Sequence, residues 1–309
     1  MSHIHNDVLE AIGHTPVVRL RRILPAGCAE VVVKLENLNV GGSIKTRTAW
    51  NMLEDAAARG VIGPDTVICE PTSGNQGIGL ALVGAVRGLR VRIIMPDSVS
   101  VERRKIIAAY GAEVVLVHDH GDIGACIDEC LQTALAMAAD DPNVFVPQQF
   151  ENQANPGIHY DVTGFELIEQ VGRIDGFCSG IGTGGTITGV GRRLREANPA
   201  VVIWAVEPEH AAILSGGLIT SHLQMGIGDG LIPANLDTTI YDHITVVTDE
   251  EAIDMAKRLA CEEGLLAGIS SGSNVVAAVR LAAELGTGKV VATILPDTGE
   301  RYISTPLFD

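Results

Sequence analysis

Four short segments of the sequence concentrate glycine, hydroxyl, amide and lysine side chains where helices are predicted to begin. They read NVGGSIKTR at 39–47, EPTSGNQGIG at 70–79, SGIGTGGTITG at 179–189 and GISSGS at 268–273. Open α/β sheets bind their ligands in loops of this kind, between the end of a strand and the start of the next helix. The four segments are therefore the candidate functional site.

The first segment places Lys45 at a predicted helix start. The positive end of a helix disfavours a second cation, so it favours the neutral amine, which is the form that attacks a carbonyl carbon. Gly41 and Gly42 give the segment a superficial likeness to a nucleotide-binding P-loop, but the spacing of that motif is absent. An exposed lysine without a chemical role is the alternative.

The second segment crowds Thr72, Ser73 and Asn75 into the turn before a predicted helix. Hydroxyls, an amide and the backbone N–H groups of a helix N-terminus together form a cradle for a carboxylate or a phosphate. In the fourth segment, Ser270 and Ser271 stand at another helix start, where they could cap the helix or donate to a ring nitrogen. A well-capped helix without a ligand is the alternative in both places.

The third segment is a glycine loop with two interpretations. Gly180, Gly182 and Gly185 match G-x-G-x-x-G, and Glu207 lies 22 residues beyond Gly185. This spacing is typical of a dinucleotide site, so an NAD-dependent dehydrogenase is one interpretation. The N–H groups of such a loop hold any phosphate at a helix N-terminus, so another phosphate-bearing ligand is the second.

The segments belong to a chain in which predicted strands alternate with predicted helices. The strands, such as 30–36 and 289–295, are apolar throughout, which indicates parallel sheets covered on both faces. This alternation predicts an α/β fold. Residues 211–242 show little periodicity and are predicted to form a long loop region. The helices that carry the four segments are expected at 46–59, 77–87, 186–197 and 273–285.

Composition excludes several classes of protein. The chain has 309 residues, of which 46% are hydrophobic and 19% charged, and its net charge is −16. This length is about twice the usual domain length, which indicates two domains. The acidic balance argues against nucleic acid or an anionic membrane as a partner. No apolar run reaches the roughly 18 residues that a membrane span needs.

The cysteines and the N-terminus indicate a cytoplasmic protein. The six cysteines form no C-x-x-C pair, and scattered thiols are typical of a reducing compartment. The first residues lack the basic start and apolar run of a secretory signal. The nine histidines form no metal-binding pattern, so no metal is expected.

The four segments, in this order, resemble those of the cysteine synthase and cystathionine β-synthase family, the fold type II β-family of enzymes that use pyridoxal 5′-phosphate (PLP). Further matches are HTPVVRL at 14–20, QQFENQANPGIHYDVTG at 148–164, VEP at 206–208 and GIGDGLIP at 226–233. The similarity spans almost the whole chain.

The resemblance implies a fold and an assembly. The expected fold is two three-layer α/β domains with mostly parallel sheets and PLP in the cleft between them. The smaller domain is expected at 46–148, and the larger, phosphate-binding domain is expected to combine 1–45 with 149–309. Members of the family are usually homodimers, so a homodimer is expected here.

The resemblance also implies roles for individual residues. Lys45 would form the Schiff base with PLP and carry the α-proton, Asn75 would hydrogen-bond the ring hydroxyl, and Ser270 would meet the pyridine nitrogen. The phosphate would lie on the glycine loop, which supplies Gly182, Thr183, Gly184, Gly185 and Thr186. The substrate carboxylate would be held by Thr72, Ser73, Asn75, Gln76 and Gln149. The implied activity is β-elimination or β-replacement on a three-carbon amino acid, through an aminoacrylate intermediate.

Three positions depart from the family pattern. Gln76 stands where the family usually has Thr, and Thr46 follows the lysine where Asp is usual. GIGDGL at 226–231 stands where the enzymes that use O-acetylserine usually read GIGAGF, and this change puts Asp229 at the expected mouth of the active site. A carboxylate there can take a proton from a weak nucleophile, and in its protonated form can give one to a departing hydroxyl or thiol.

We therefore expect L-cysteine or L-serine as the donor, with Asp229 as the acid and base. Water, a thiol or an amine would be the nucleophile, and the products would be sulfide and L-serine, or a lanthionine- or cystathionine-type amino acid. The alternative is an ordinary cysteine synthase that uses O-acetylserine, with Asp229 a solvated loop residue. A catalytically inactive PLP-binding regulator would be expected to lose Lys45, and a dehydrogenase leaves both Lys45 and Ser270 unexplained.

Overall fold

The computed structural model describes residues 4–120 and 123–309. The helices are α1 Lys45–Ala58, α2 Asn75–Arg87, α3 Val101–Ala109, α4 Ile123–Asp140, α5 Ala154–Ile158, α6 Gly164–Val171, α7 Gly185–Ala197, α8 Asp249–Glu263 and α9 Ile269–Leu285. The strands are β1 Val17–Arg19, β2 Glu30–Leu35, β3 Val67–Pro71, β4 Arg90–Pro96, β5 Glu113–Val117, β6 Val144–Phe145, β7 Gly176–Gly180, β8 Val202–Pro208, β9 His243–Val247 and β10 Val290–Leu295.

The chain divides into two compact units, each with its own sheet. The first unit takes the residues up to His14 together with Asn39–Asn155, and the second takes Thr15–Leu38 and Pro156–Asp309. Both units alternate strands with helices, and their strands are mostly parallel. The predicted α/β fold class with mostly parallel sheets is therefore confirmed.

The sheet of the first unit has the order β5-β4-β3-β6, and all of its strands are parallel. Its core contains Ile68 and Ile93 from the central strands and Ile78 from α2, each fully buried. The sequence of α2 is apolar around most of the helix, which is why it is buried on several sides rather than along one stripe. This packing fixes the turn between β3 and α2.

The N-terminal segment packs into the core of the first unit. Leu9 and Ile12 are buried in the same apolar cluster as Leu53 and Ile78, and the Gly13 N–H donates to Asn39 Oδ1 at 3.0 Å. The first unit is thus larger than the expected domain at 46–148, since it also takes the residues up to His14, 39–45 and 149–155. Apolar burial explains the difference at the N-terminal side.

The sheet of the second unit has the order β1-β2-β10-β7-β8-β9. Strand β1 pairs antiparallel with β2 at one edge, and the other strands are parallel. Helix α9 packs on this sheet through Val275, Ala278 and Leu281, all fully buried. The loop after β7 and the start of α9 are therefore held on one rigid frame.

The observed elements differ from the predicted ones mainly at their ends. Strands β1 and β6 have three and two residues, too few for a periodic pattern to predict. Helix α9 begins at Ile269 rather than at residue 273, so Ser270 and Ser271 lie inside its first turn. Residues 211–242 contain no helix or strand beyond an isolated bridge, as predicted. Across 4–120 and 123–309, no helix has the length and apolar character needed to cross a bilayer.

Candidate active site

Lys45 is the first residue of α1, and its backbone lies close to Thr48 and to helix α2. Its carbonyl oxygen lies 2.9 Å from Thr48 Oγ1, whose single hydroxyl proton is shared with Gln76 Oε1. The same oxygen lies 2.9 Å from the position that a Cβ would take on Gly79 of α2. Because Gly79 lets the two helix starts approach this closely, the Cα of Lys45 is fixed although its side chain is only partly buried.

The turn that contains Thr72, Ser73 and Asn75 joins β3 to α2. The Thr72 N–H donates to the Ile94 carbonyl at 3.0 Å, which continues the sheet pairing, and the Thr72 hydroxyl accepts from the Gly74 N–H at 3.2 Å. Helix α2 begins at Asn75 with Gly74 as its N-cap, two residues earlier than predicted. Thr72, Ser73 and Asn75 therefore surround a helix N-terminus, which favours a bound anion.

Gln76 lies in the first turn of α2 and is buried rather than exposed. Its side chain is 1% exposed, and its Oε1 is 2.7 Å from Thr48 Oγ1. Its Nε2 has no hydrogen-bond partner within the part of the chain that the structure describes. One end of the carboxamide is thus committed to α1, and only the other end remains for a ligand.

Arg103 of α3 is a residue near this turn that the sequence did not single out. It is 3% exposed, and its Cδ and Nε lie so close to Gly74 that any side chain at that position would collide with them. A cation beside the turn favours an anionic ligand there. Its sequence context, the run ERRK in α3, is ordinary for an exposed helix and gives no indication of this burial.

Gln149, also predicted to hold the substrate carboxylate, is anchored through its backbone. Its N–H donates to Glu70 Oε1 at 2.8 Å, and the Gln148 N–H donates to Glu70 Oε2 at 2.8 Å. Asn155 Nδ2 donates to the Gln149 carbonyl at 2.8 Å. Glu70 is fully buried, and burial raises the pKa of its carboxyl group from 4.5 to about 7.

The glycine loop of the second unit runs from the end of β7 to the start of α7. Any Cβ on Gly182 would collide with the Gly226 carbonyl oxygen. Gly184 is the N-cap of α7 and has a φ of 74°, which side chains rarely permit, and a Cβ there would lie 2.7 Å from Leu236 Cβ. The two glycines leave room for the backbone N–H groups of the loop to approach a phosphate.

The loop is also tied to α9. The Gly180 N–H donates to Asn274 Oδ1 at 2.7 Å, and Asn274 Nδ2 donates to the Ile294 carbonyl at 2.8 Å. Asn274 is buried in α9 and was not predicted to have a role, because nothing in the sequence relates it to the glycine loop. Thr183 is buried, whereas Thr186 is half-buried and its Oγ1 lies 3.4 Å from His159 Nε2.

Glu207 is not placed to bind a ribose. It is 4% exposed, and its two carboxylate oxygens accept hydrogen bonds from the Leu214 N–H at 2.7 Å, the Ser215 N–H at 3.1 Å and Ser215 Oγ at 2.9 Å. The carboxylate therefore serves to fold the loop after β8. Its spacing from the glycine loop does not make a dinucleotide site.

Ser270 lies in the first turn of α9, whose N-cap is Gly268. A side chain at Gly268 would collide with Asp297 and Tyr302, so only glycine fits there. The alternative that Ser270 or Ser271 caps this helix is therefore wrong, since both lie inside its first turn. Ser270 is 3% exposed, which suits a hydroxyl that meets a ring nitrogen in a dry site.

Asp229 lies beside the glycine loop in the second unit. Its Oδ2 is 3.4 Å from the position that a Cβ would take on Gly182. The Gly228 N–H donates to the Ile181 carbonyl at 2.8 Å, and His222 Nε2 lies 3.1 Å from the Gly228 carbonyl oxygen. The neighbouring backbone is thus held from both sides.

Gln224 links the loop that contains Asp229 to helix α9. Its N–H donates to His222 Nδ1 at 3.2 Å, so that nitrogen is unprotonated and Nε2 carries the proton. Its side chain accepts from Ser273 Oγ at 2.7 Å and donates to the Val247 carbonyl at 2.9 Å. The loop that bears Asp229 is therefore held by several hydrogen bonds, and this network could not be predicted from the sequence.

The predicted site residues divide between the two units. The first unit contains Lys45, Thr72, Ser73, Asn75, Gln76 and Gln149, and the second contains Gly182, Thr183, Gly184, Gly185, Thr186, Ser270 and Asp229. In residues 4–120 and 123–309, no group of three or more His, Cys, Asp or Glu side chains could hold a metal ion.

Comparison with known proteins shows the family. The family model described as "Pyridoxal-phosphate dependent enzyme" matches residues 8–297. A cysteine synthase from Staphylococcus aureus strain Mu50 is 47% identical over 308 residues, covering 98% of this chain and 97% of the relative.

Two solved structures are similar over nearly the whole chain. An O-ureido-L-serine synthase has a TM-score of 0.93 and 42% identity, covering 99% of this chain and 96% of the other. A hydrogen sulfide-producing enzyme from Fusobacterium nucleatum has a TM-score of 0.92 and 38% identity, covering 98% and 99%.

The residues of each unit fit PLP. The glycine loop offers backbone N–H groups at the start of α7, where Gly184 is the N-cap, and Ser270 offers a buried hydroxyl. Lys45 offers an amine at a fixed helix start. These observations agree with the comparisons: the chain belongs to the pyridoxal-phosphate dependent enzymes, uses pyridoxal phosphate, and is a cysteine synthase-like enzyme of β-replacement or β-elimination.

Proposed function

We propose that the enzyme acts on L-cysteine or L-serine, with Asp229 as the acid and base at the β-carbon. The observation that carries this proposal is the position of Asp229 Oδ2, 3.4 Å from where a Cβ on Gly182 would lie, beside the loop that suits the phosphate. A carboxylate held there by a rigid loop is fixed for proton transfer rather than free in solvent.

The leaving group explains why such a residue would be useful. Acetate departs from O-acetylserine without a proton, whereas hydroxide and sulfide are poor leaving groups that need one. In its protonated form Asp229 would give a proton to the departing sulfur or oxygen, and in its ionised form it would take one from the incoming nucleophile. With L-cysteine and water, the reaction gives L-serine and hydrogen sulfide, and with a thiol it gives a lanthionine- or cystathionine-type product.

The other residues would bind and orient the cofactor and the substrate. PLP, when bound, supplies the electron sink that makes the α-proton acidic. Lys45 would hold the cofactor covalently and move that proton, Asn75 would meet its ring hydroxyl, and Ser270 its ring nitrogen. The glycine loop from Gly182 to Thr186 would hold the phosphate. The substrate carboxylate would be bound by Thr72, Ser73, Asn75, Gln76 and Gln149.

An O-acetylserine-dependent cysteine synthase is the second candidate. It is supported by the 47% identity with a curated cysteine synthase over nearly the whole chain. The hydrogen sulfide-producing enzyme, at 38% identity, supports the first candidate. In the second candidate Asp229 would have no role in proton transfer, so the two differ in the effect of removing its charge.

The test compares Asp229→Asn with the wild type on L-cysteine and on O-acetylserine. Because only the poor leaving group needs a proton, kcat with L-cysteine should fall about a hundredfold or more, while kcat with O-acetylserine and sulfide should stay within a few-fold. Sulfide and L-serine are quantified as products. Glu209→Gln, which removes an exposed carboxylate directly after β8 in the same unit, is the matched control. Equal rates with L-cysteine in Asp229→Asn and wild type would remove Asp229 from the mechanism.

We also propose that the enzyme is a homodimer in a reducing compartment such as the cytoplasm. The dimer rests on the family resemblance. The compartment is supported by the cysteines, all six of which are free thiols.

A further inference from the structure

Glu70 is a buried carboxylate of the first unit that, among the described residues, accepts hydrogen bonds from two backbone N–H groups. It is the penultimate residue of β3, which ends at Pro71 directly before the turn that contains Thr72 and Ser73. It is 0% exposed, and its two oxygens each accept one N–H, from Gln148 and from Gln149, at 2.8 Å. The carboxylate thus connects the end of a central strand to the segment that carries Gln149.

The segment held by Glu70 has an unusual backbone. Gln148 has a φ of 56°, in the left-handed region that residues with a side chain rarely adopt. Such a conformation persists when the surroundings hold it. Here two adjacent N–H groups point to the same carboxylate, and the Gln148 carbonyl accepts from the Glu151 and Asn152 N–H groups at 3.0 Å each.

We propose that Glu70 is a positioning residue, whose ionised carboxylate sets the backbone of Gln148 and Gln149 and thereby aims Gln149 at the carboxylate of the amino-acid substrate. This inference rests on the proposed role of Gln149 in substrate binding, and it is independent of Asp229. It predicts an effect on the binding of every amino-acid donor, whatever its leaving group.

The charge state of Glu70 gives the proposal a specific consequence. Two N–H donors suit a carboxylate, which accepts on both oxygens, but not a carboxylic acid, one of whose oxygens carries a proton. Since burial raises the pKa of Glu70 to about 7, the group changes charge near neutral pH. As the pH falls below about 7, one of the two hydrogen bonds weakens, Gln149 is less well held, and KM for the donor should rise.

The experiment measures kcat and KM of the PLP-loaded enzyme with O-acetylserine and with L-cysteine between about pH 5.5 and 7.5. In the wild type, KM should rise about tenfold as the pH falls across this range, with a smaller change in kcat. Glu70→Gln mimics the protonated acid, so its KM should be high, by about tenfold, and independent of pH. Calorimetric titration with L-alanine, which has no leaving group, should show the same change in dissociation constant.

Glu151→Gln is the matched control, since Glu151 is exposed in the same loop and gives it the same change of charge. It should keep the wild-type KM and pH profile. Glu70→Asp, which keeps the charge on a shorter side chain, should recover part of the pH dependence. A wild-type KM that is flat with pH, which needs no variant to fold, overturns the proposal, as does a Glu70→Gln variant with the wild-type KM. Failure of the Asp229 prediction would leave these outcomes unchanged.

Discussion

The buried carboxyl group of Glu70 experiences two opposed influences. The N–H groups of Gln148 and Gln149 favour its ionised form, while complete burial favours the protonated form and is the larger effect. The charge state that best holds Gln149 is therefore the one that costs the folded protein stability. Residues at binding sites commonly carry a cost of this kind.

This conflict makes a prediction about stability. With a pKa raised from 4.5 to about 7, the folded protein retains a proton on Glu70 that the unfolded chain loses above about pH 4.5. The stability due to that proton is complete below about pH 4.5 and is lost as the pH rises through about 7. Between about pH 5 and pH 8, the free energy of unfolding of the wild type should fall by about 2 kcal/mol more than that of Glu70→Gln.

Urea unfolding of both proteins at the two pH values checks this difference. Glu151→Gln should follow the wild type, because its carboxylate is exposed. Parallel pH dependences in Glu70→Gln and the wild type would show that the folded state does not bind the extra proton.

Residue types in short loops could be predicted from the sequence, while their partners could not. Glycine, serine and threonine at helix starts indicated the glycine loop and the turn before α2. The roles of Glu70, Asn274 and Arg103 depend on contacts with residues distant in sequence. Such contacts cannot be predicted from one sequence. Gln76 was predicted to face the substrate, yet half of its carboxamide is bound to Thr48.

In the loop between β7 and α7, close neighbours leave no room for a side chain at Gly182 or Gly184. A Cβ on Gly182 would lie too close to the Gly226 carbonyl oxygen to be accommodated. Gly182→Ala must therefore displace either the loop or the segment that leads to Asp229. It should weaken PLP binding by about tenfold or more, and overpacking of this kind costs about 1–3 kcal/mol of stability.

Titration of the PLP-free protein with PLP, followed by absorbance, measures this loss. Gly63→Ala is the control, since a Cβ there meets nothing within 4 Å. If Gly182→Ala binds PLP as the wild type does, the loop is not the phosphate cradle.

The ends of elements were less predictable than their existence. Helix α8 carries clear end signals in its sequence, since Thr248 and Glu251 form a capping box and Gly264 ends the helix in the left-handed conformation. Helix α9 has no such cap, and its start at Ile269 was missed by four residues. Helix α2 also lacks a side-chain cap, and it begins two residues earlier than predicted.

At the scale of the whole molecule, charge bears on assembly. Each chain carries a net charge of −16, so two chains repel each other at long range, and added salt screens the repulsion. A homodimer should therefore dissociate more readily at low ionic strength.

Light scattering after size exclusion should give twice the 32.5 kDa chain mass at about 0.15 M salt. At about 0.01 M salt and low protein concentration, a larger share of 32.5 kDa monomer is expected. The mass of a single chain under both conditions would contradict the dimer.

Three helices of the candidate site, α2, α7 and α9, share glycine as the N-cap residue. Replacing a capping side chain usually costs about 1 kcal/mol of stability. These three helices have no capping side chain, so this cost does not arise at their N-termini. The residues next to each glycine can therefore change with the substrate, as Gln76 at the start of α2 illustrates, without weakening the helix behind them. This arrangement gives one scaffold room to diversify in evolution, since a new specificity need not first be compensated by a new stabilising mutation.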